Sequence, residues 1–116
     1  MIITQKNNPS SPPRQYDPIC AILAQLQKFS GLRLGLISHQ QRDWQSATFD
    51  GDEHILLISA HGQNIKSRLA QLNLEIGDME FAAKRQFVGE ISIGKDIDYG
   101  PEHAEFSINI LMINAA

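Results

Sequence analysis

The sequence lacks most of the patterns by which a function is recognised. It contains a single cysteine, Cys20, which excludes an internal disulfide and favours a reducing compartment. No apolar run approaches the roughly 20 residues of a membrane-spanning helix, and the first residues include no apolar segment of signal-peptide length. We therefore expect a cytoplasmic protein with no membrane among its partners.

Signatures of catalysis and of cofactor binding are also absent. The segment Ser59-Ala60-His61-Gly62 is not the Gly-x-Ser-x-Gly turn of a nucleophile elbow, and the isolated glycines make no phosphate-binding loop. The acidic segment 96–105 lacks the ligand number and the flanking helices of an EF-hand, so we interpret it as a solvated loop. The sequence thus predicts no catalytic residue, no metal site and no cofactor, and it favours a protein that is not an enzyme.

The cysteine and the histidines are the residues whose reactivity has to be considered. A helix dipole lowers the pKa of a thiol in the first turn, but a cysteine on a largely apolar helix is more often a small core residue, and we interpret Cys20 in that way. Histidines that bind metals typically stand at i, i+4 on a helix or at i, i+2 on a strand. The four histidines do not have this spacing, and we expect them to be exposed: His39, His54, His61, His103.

The charges are unevenly placed along a chain whose net charge is −3. Residues 1–49 hold five basic and two acidic side chains, whereas residues 75–105 hold eight acidic and three basic side chains. Two interpretations stay open: two ordinary solvated faces, or complementary faces on copies of one subunit, which would favour head-to-tail assembly. Because no basic stripe is interleaved with aromatic residues, we do not expect nucleic acid as a partner.

Two amphipathic helices are predicted. Asp17-Pro18 supplies an N-cap and a first helical residue, and Gly31 supplies a C-cap. Between these signals, apolar residues recur at helical spacing: Ile19, Ile22, Leu23, Leu26, Phe29. A second stripe predicts a helix that stops at Gly77-Asp78: Ile65, Leu69, Leu72, Ile76.

Three strands are predicted between the helices. Alternating leucines indicate a strand at about 32–38, a polar connection covers 39–43, and a second strand runs from about 44 to 49. The dipeptide Asp50-Gly51 tolerates the positive φ angles of a tight hairpin. The third strand, 54–59, has a continuous apolar run, which predicts a central position with burial on both faces.

The chain closes with a predicted hairpin. Residues 86–93 and 106–113 each alternate apolar and polar side chains with period two, and a connection rich in glycine and aspartate separates them. The predicted fold is therefore α+β, a two-layer helix-on-sheet domain with a mostly antiparallel sheet and the order α-β-β-β-α-β-β. We expect residues 1–15 to be a flexible N-terminal arm and residues 16–116 to be a single domain. A ferredoxin-like arrangement is an alternative if residues 1–4 form a strand.

One face of the sheet is predicted to need a partner. In the last strand, Leu111 and Ile113 lie on the face opposite to that of Phe106 and Ile108, so both faces carry apolar side chains. Extra cover from the chain itself and a subunit interface both explain this pattern. Trp44 and Arg42 are of the residue types enriched in contact hot spots, although core packing is an alternative for the tryptophan. The interface candidates are Trp44, Arg42, Leu111 and Ile113.

These features favour a non-enzymatic subunit that assembles with itself or with another protein in a larger complex. The element order resembles that of small bacteriophage tail-terminator or tail-completion subunits, which form rings at the end of a tail tube. This resemblance covers about residues 16–113 and includes no motif, so it implies no residue roles. The alternative is a small ligand-binding protein or enzyme with a pocket between sheet and helices, and its candidate residues are His39, His61, Asp98 and His103.

Overall fold

The protein folds as two helices on a five-stranded antiparallel sheet, as seen in a computed structural model that describes residues 17–115. The elements in chain order are α1 (Pro18–Ser30), β1 (Arg33–Gln45), β2 (Asp50–His61), α2 (Ile65–Glu75), β3 (Gln86–Ile93), β4 (Asp98–Tyr99) and β5 (His103–Asn114). The α+β class is confirmed. The predicted arm at residues 1–15, and the strand considered for residues 1–4, lie outside the described residues.

The first helix begins and ends where the sequence signals predict. The carboxylate of Asp17 accepts a hydrogen bond from the amide of Ile19 at 3.0 Å, and Pro18 takes the first helical position. Gly31 ends the helix in the left-handed conformation at φ 73°, where its amide donates to the carbonyl of Gln27. The helix buries one stripe, which consists of Ile19, Ile22 and Leu26.

The second helix also matches its predicted stripe. Ile65, Leu69 and Leu72 are buried, and a 3₁₀ turn at Ile76–Asp78 extends the helix and buries Ile76. No helix in the described part of the chain is long and apolar enough to cross a membrane.

The prediction of three strands between the helices is wrong, because there are two. The predicted polar connection at 39–43 is part of β1, which runs unbroken apart from a register shift at Ile37. β1 is an edge strand, and from Leu36 onward nearly every side chain is exposed. A strand that is exposed on both faces has no need for apolar alternation, so its sequence looks like a loop. The observed order is α-β-β-α-β-β-β.

The turn between β1 and β2 also differs from the prediction. The chain reverses at residues 46–49, where the amide of Ser46 donates to the carbonyl of Phe49 at 2.8 Å. Asp50 and Gly51 therefore begin β2 and do not form the turn. Gly51 is needed for a different reason, since a Cβ atom there would collide with the backbone of Met112 in β5.

The fifth strand lies in the connection that closes the chain. β4 pairs with β5, with Asp98 opposite Glu105 and Tyr99 opposite Ala104. Two residues are too few to display an alternating pattern, which is why the sequence does not reveal this strand. β3 pairs with the other half of β5, and so the predicted closing hairpin is confirmed.

The helices and one face of the sheet form a single core. The strand order is β1-β2-β5-β3, and β4 continues the edge formed by β3. The helix stripes contact alternate residues of the strands, which include Leu56, Ile58, Phe106, Ile108 and Ile110. The prediction that 54–59 is central is confirmed, but burial on both faces is not, because Leu57 is exposed and Ile55 is half-buried.

A matched pair of glycine substitutions tests the close approach of β2 and β5. Gly51→Ala is expected to lower the free energy of unfolding by about 2 kcal/mol, because the strands have to separate to admit the methyl group. Gly77→Ala places its methyl group in open space and is expected to change stability by less than about 0.5 kcal/mol. Urea unfolding of both variants measures the difference. Equal stability of the two variants would contradict the proposed collision.

Candidate functional site

The most distinctive surface of the molecule is the face of the sheet that points away from the helices, which we call the open face. Within residues 17–115 no helix packs against it, because the buried residues of both helices belong to the core on the other side. On the open face Leu57 is 36% exposed, and its neighbours range from half-buried to exposed. A sheet face left in this state is available to bind a partner.

The four interface candidates all lie on the open face, in two adjacent rows across the sheet. In one row, Arg42 of β1 is opposite Glu53, and Glu53 is opposite Leu111. In the next row, Trp44 is opposite Gly51, and Gly51 is opposite Ile113. Because directly opposed residues share a face, the register brings together side chains that are up to 71 positions apart in the sequence, from Arg42 to Ile113. The structure shows that these four side chains lie on the open face, and their role in an interface stays a prediction.

Two phenylalanines that the sequence did not single out complete this surface. Phe87 of β3 is opposite Ile113, and its ring meets that of Phe49 edge to face, with centroids 6.5 Å apart. These rings stay 44% and 51% exposed, respectively. We define the apolar patch as five residues: Trp44, Phe49, Phe87, Leu111, Ile113. Phe49 is the last residue of the turn at 46–49, whereas the sequence predicts a turn at Asp50-Gly51, and this difference hides the patch from the sequence pattern.

The backbone of β3 is shaped to fit the apolar patch. A register shift between Val88 and Glu90 leaves Gly89 as the extra residue, and a Cβ atom at Gly89 would collide with the side chain of Ile113. Glycine therefore leaves space for the isoleucine to lie over β3.

Charged side chains lie beside the apolar patch. Nε of Arg42 donates to Oε1 of Glu53 at 2.6 Å on the same face. Glu90 lies across from Leu111 at the far edge of the sheet, where it is exposed. The open face is thus apolar at the end near the β1–β2 turn, with a basic residue on one edge and an acidic residue on the other.

The opposite end of the open face is polar. The rings of His61 and His103, on paired positions of β2 and β5, have centroids 4.7 Å apart. Nε2 of His103 lies 3.7 Å from a carboxylate oxygen of Glu105, and Asp98 is opposite Glu105. Three of the four pocket candidates are therefore close together, on an exposed surface. Among residues 17–115, however, no three histidine, cysteine or acidic side chains are arranged to hold a metal ion.

The fourth pocket candidate, His39, lies elsewhere. Register places it on the helix-covered side of the sheet, where its Nε2 is 2.8 Å from Nδ1 of His54, so that one ring donates a hydrogen bond to the other. His54 is only 5% exposed, which contradicts the expectation that every histidine is exposed. Burial lowers the pKa of His54, and the neighbouring His39 lowers it further, against the opposite effect of Asp52 and Asp17.

One open groove on the described surface contains none of the pocket candidates. It has a volume of about 840 Å³ and lies between the start of α2 and the β4–β5 turn. Its lining residues include Asn64, Lys66 and Tyr99, with Lys66 Nζ 5.4 Å from the centre of the Tyr99 ring. The four candidates are therefore divided between two sites and do not converge in one cavity.

Cys20 lies outside the core, contrary to the sequence-based interpretation. Its side chain is exposed, and its thiol donates to the carboxylate of Asp17 at 3.2 Å. This hydrogen bond raises the pKa of the thiol, and burial and the negative charge of Asp17 raise it further. The helix start therefore holds the cysteine in its protonated form, which is the poorer nucleophile.

The buried histidine predicts a loss of stability in acid. The pKa of His54 is lower in the folded chain than its ordinary value of 6.5, so the unfolded chain binds more protons as the pH falls below that value. The contribution of His54 therefore lowers the free energy of unfolding progressively from about pH 6.5 downward, until the pH has passed the folded pKa.

Urea unfolding at a series of pH values measures this contribution. His54→Gln is expected to lose less stability below pH 6.5 than the wild type does. The control His61→Gln removes an exposed imidazole and is expected to lose as much as the wild type. If His54→Gln loses as much unfolding free energy in acid as the wild type does, the acid sensitivity comes from other groups.

Comparisons with known proteins give no assignment. The chain matches no protein-family model, no curated protein and no solved structure. Functional inference for this protein therefore rests on its own residues and geometry.

Proposed function

We propose that this protein is a non-enzymatic subunit that assembles with copies of itself, or docks on another protein, within a larger complex. The observation that carries this proposal is the apolar patch on the open face. It brings aromatic rings from β1, the turn, and β3 onto one surface together with aliphatic side chains from β5.

The composition of the patch supports binding to protein. Tryptophan and other aromatic residues are enriched in the cores of protein interfaces, and they contribute much of the binding energy when they are fully desolvated. Phe49 and Phe87 retain about half of their surface, so a partner that covers them removes further apolar area from water. The apolar residues occupy neighbouring positions on one face of the sheet, which distinguishes them from single exposed side chains such as Leu74.

A second copy of the chain is the partner that the charges favour. Basic side chains are concentrated in the first 49 residues and acidic ones in residues 75–105. The strands that these two regions contribute, β1 from the first and β3 with β4 from the second, lie at opposite edges of the sheet. A surface with separated charges of opposite sign attracts its own copies head to tail. We place this assembly in the cytoplasm, since a single cysteine favours a reducing compartment.

The tail-terminator alternative is retained as an analogy. The observation in its favour is the coarse order of a helix, a group of strands, a second helix and closing strands. Head-to-tail assembly into a closed ring would agree with it. Electron microscopy of the assembled protein would test it, because a tail-end subunit is expected to form rings of uniform size, and open filaments or dimers would count against it.

The ligand-binding or enzyme alternative has one observation in its support. His61, His103 and Glu105 are close together on the open face and could move a proton between them. Within residues 17–115 these side chains lie on the open face of the sheet and do not line the groove beside α2, which makes this the weaker proposal.

A pair of phenylalanine substitutions tests the role of the apolar patch. Phe87→Glu places a charge within the patch, whereas Phe29→Glu changes a residue of nearly equal exposure on α1, at 44% and 46% respectively. In sedimentation at micromolar concentration, the wild-type chain and Phe29→Glu are expected to form the same oligomer. Phe87→Glu is expected to need about tenfold more protein to do so, because the carboxylate would be buried without a partner.

Two results would contradict the proposal. One is a wild-type chain that stays monomeric and retains no partner in a pull-down experiment. The other is an oligomer that both glutamate variants form equally well. Thermal unfolding of the variants serves as a control. If both variants lose a comparable amount of stability, a difference in their assembly does not come from a difference in folding.

A further inference from the structure

The sheet has two open edges that are complementary to each other. One edge is β1, whose outer side has no strand partner within residues 17–115, and the other consists of β3 followed by β4. An edge strand presents unpaired backbone N–H and C=O groups that can pair with another strand. β1 contains neither lysine nor proline, two of the residues by which proteins commonly block this kind of pairing, and its bulge at Ile37 lies away from the end that carries Arg42 and Trp44.

The directions of the strands permit these edges to pair. β1 is antiparallel to β2, β2 to β5, and β5 to β3, so β1 and β3 run in opposite directions. A second copy, placed beside the first in the same orientation, therefore brings its β3 antiparallel to β1. The joined sheet would be antiparallel throughout and would keep all helices on one side.

The charges of the two edges match in register. On the open face, β1 carries Arg42 and Arg33, while the other edge carries Glu90 and Asp98. Glu90 lies in the same row of the sheet as Arg42. Asp98 lies in the row of Gly35, which is two residues from Arg33 on the same face. Pairing of the edges without a shift therefore places Arg42 directly opposite Glu90, and it places Arg33 diagonally across from Asp98.

The apolar patch continues across the same junction. Trp44 of β1 and Phe87 of β3 belong to one row, with one at each end. When a second copy is added, its Phe87 lies next to Trp44 of the first. Each junction thus extends a strip of apolar side chains flanked by opposite charges, which is the usual arrangement of a protein interface.

We infer that copies of this chain join edge to edge, with β1 of one copy paired antiparallel to β3 of the next to form a continuous sheet. This inference rests on the proposed self-assembly and specifies its contact surfaces. Such a contact is heterologous, so it produces closed rings or open filaments. Symmetric pairing of two β1 strands would bring the arginines of both copies to the same junction. Repulsion between like charges disfavours that arrangement.

Charge reversal on each edge tests the inference. Arg42→Glu and Glu90→Lys each place like charges across the junction, and each is expected to raise the concentration needed for assembly by about tenfold. An equimolar mixture of the two variants is expected to recover wild-type assembly, because every junction in an alternating arrangement again joins opposite charges. Light scattering after size-exclusion chromatography, over a range of concentrations, measures the mass of each sample.

Exposed helix residues supply the matched controls. Lys28→Glu and Glu75→Lys make the same changes of charge away from the edges and are expected to assemble as the wild type does. Arg42→Glu also removes the contact with Glu53, whereas Glu90→Lys leaves that contact intact. The Glu90 variant therefore separates weakened assembly from a weakened β1–β2 hairpin.

The outcomes distinguish this inference from the proposal on which it rests. Recovery in the mixture, with neither variant assembling alone, supports the edge-to-edge contact. A wild-type chain that is always monomeric overturns both proposals. An oligomer that is insensitive to both reversals overturns only the edge-to-edge contact. Sensitivity to Arg42→Glu alone also overturns it, because only this variant removes the contact with Glu53 and weakens the β1–β2 hairpin.

Discussion

The structure depends on the long antiparallel pairing of β2 with β5. These strands pair from Gly51 with Ile113 to His61 with His103, and both helices pack on the face that they share. Because alternate residues point to opposite faces, burying Leu56, Ile58, Phe106 and Ile108 under the helices also fixes what the other face displays. The composition of the open face is therefore a direct consequence of the register that forms the core.

This constraint explains why the apolar patch and the polar end are separate. The register places Ile113 and Leu111 toward the β1–β2 turn, and it places His103 and Glu105 toward the other end of β5. Phe87 and Trp44 extend the apolar end sideways to both edges. Apart from Phe49, which lies in the β1–β2 turn, the side chains of the proposed binding surface are held in position by the sheet itself.

The helices, the central strands and the edge strand β3 could be predicted from the sequence, whereas β1 and β4 could not. Asp17, Gly31 and the stripes of both helices carry strong local signals, because each helix has to begin, end and bury one face. The sequence pattern divides β1 in two, because an edge strand exposed on both faces needs no apolar period. It does not indicate β4, because two residues have no period to display.

The candidate site shows the same division. Leu111 and Ile113 could be found from the alternation within one strand, but Phe49 and Phe87 join them only through the tertiary register.

The most direct test of the whole account is hydrogen exchange of the β1 amides at low and high protein concentration. Edge-to-edge assembly predicts that exchange in β1 and β3 slows together as the concentration rises, while exchange in the helices changes little. Assembly that leaves exchange in β1 independent of concentration would contradict the account.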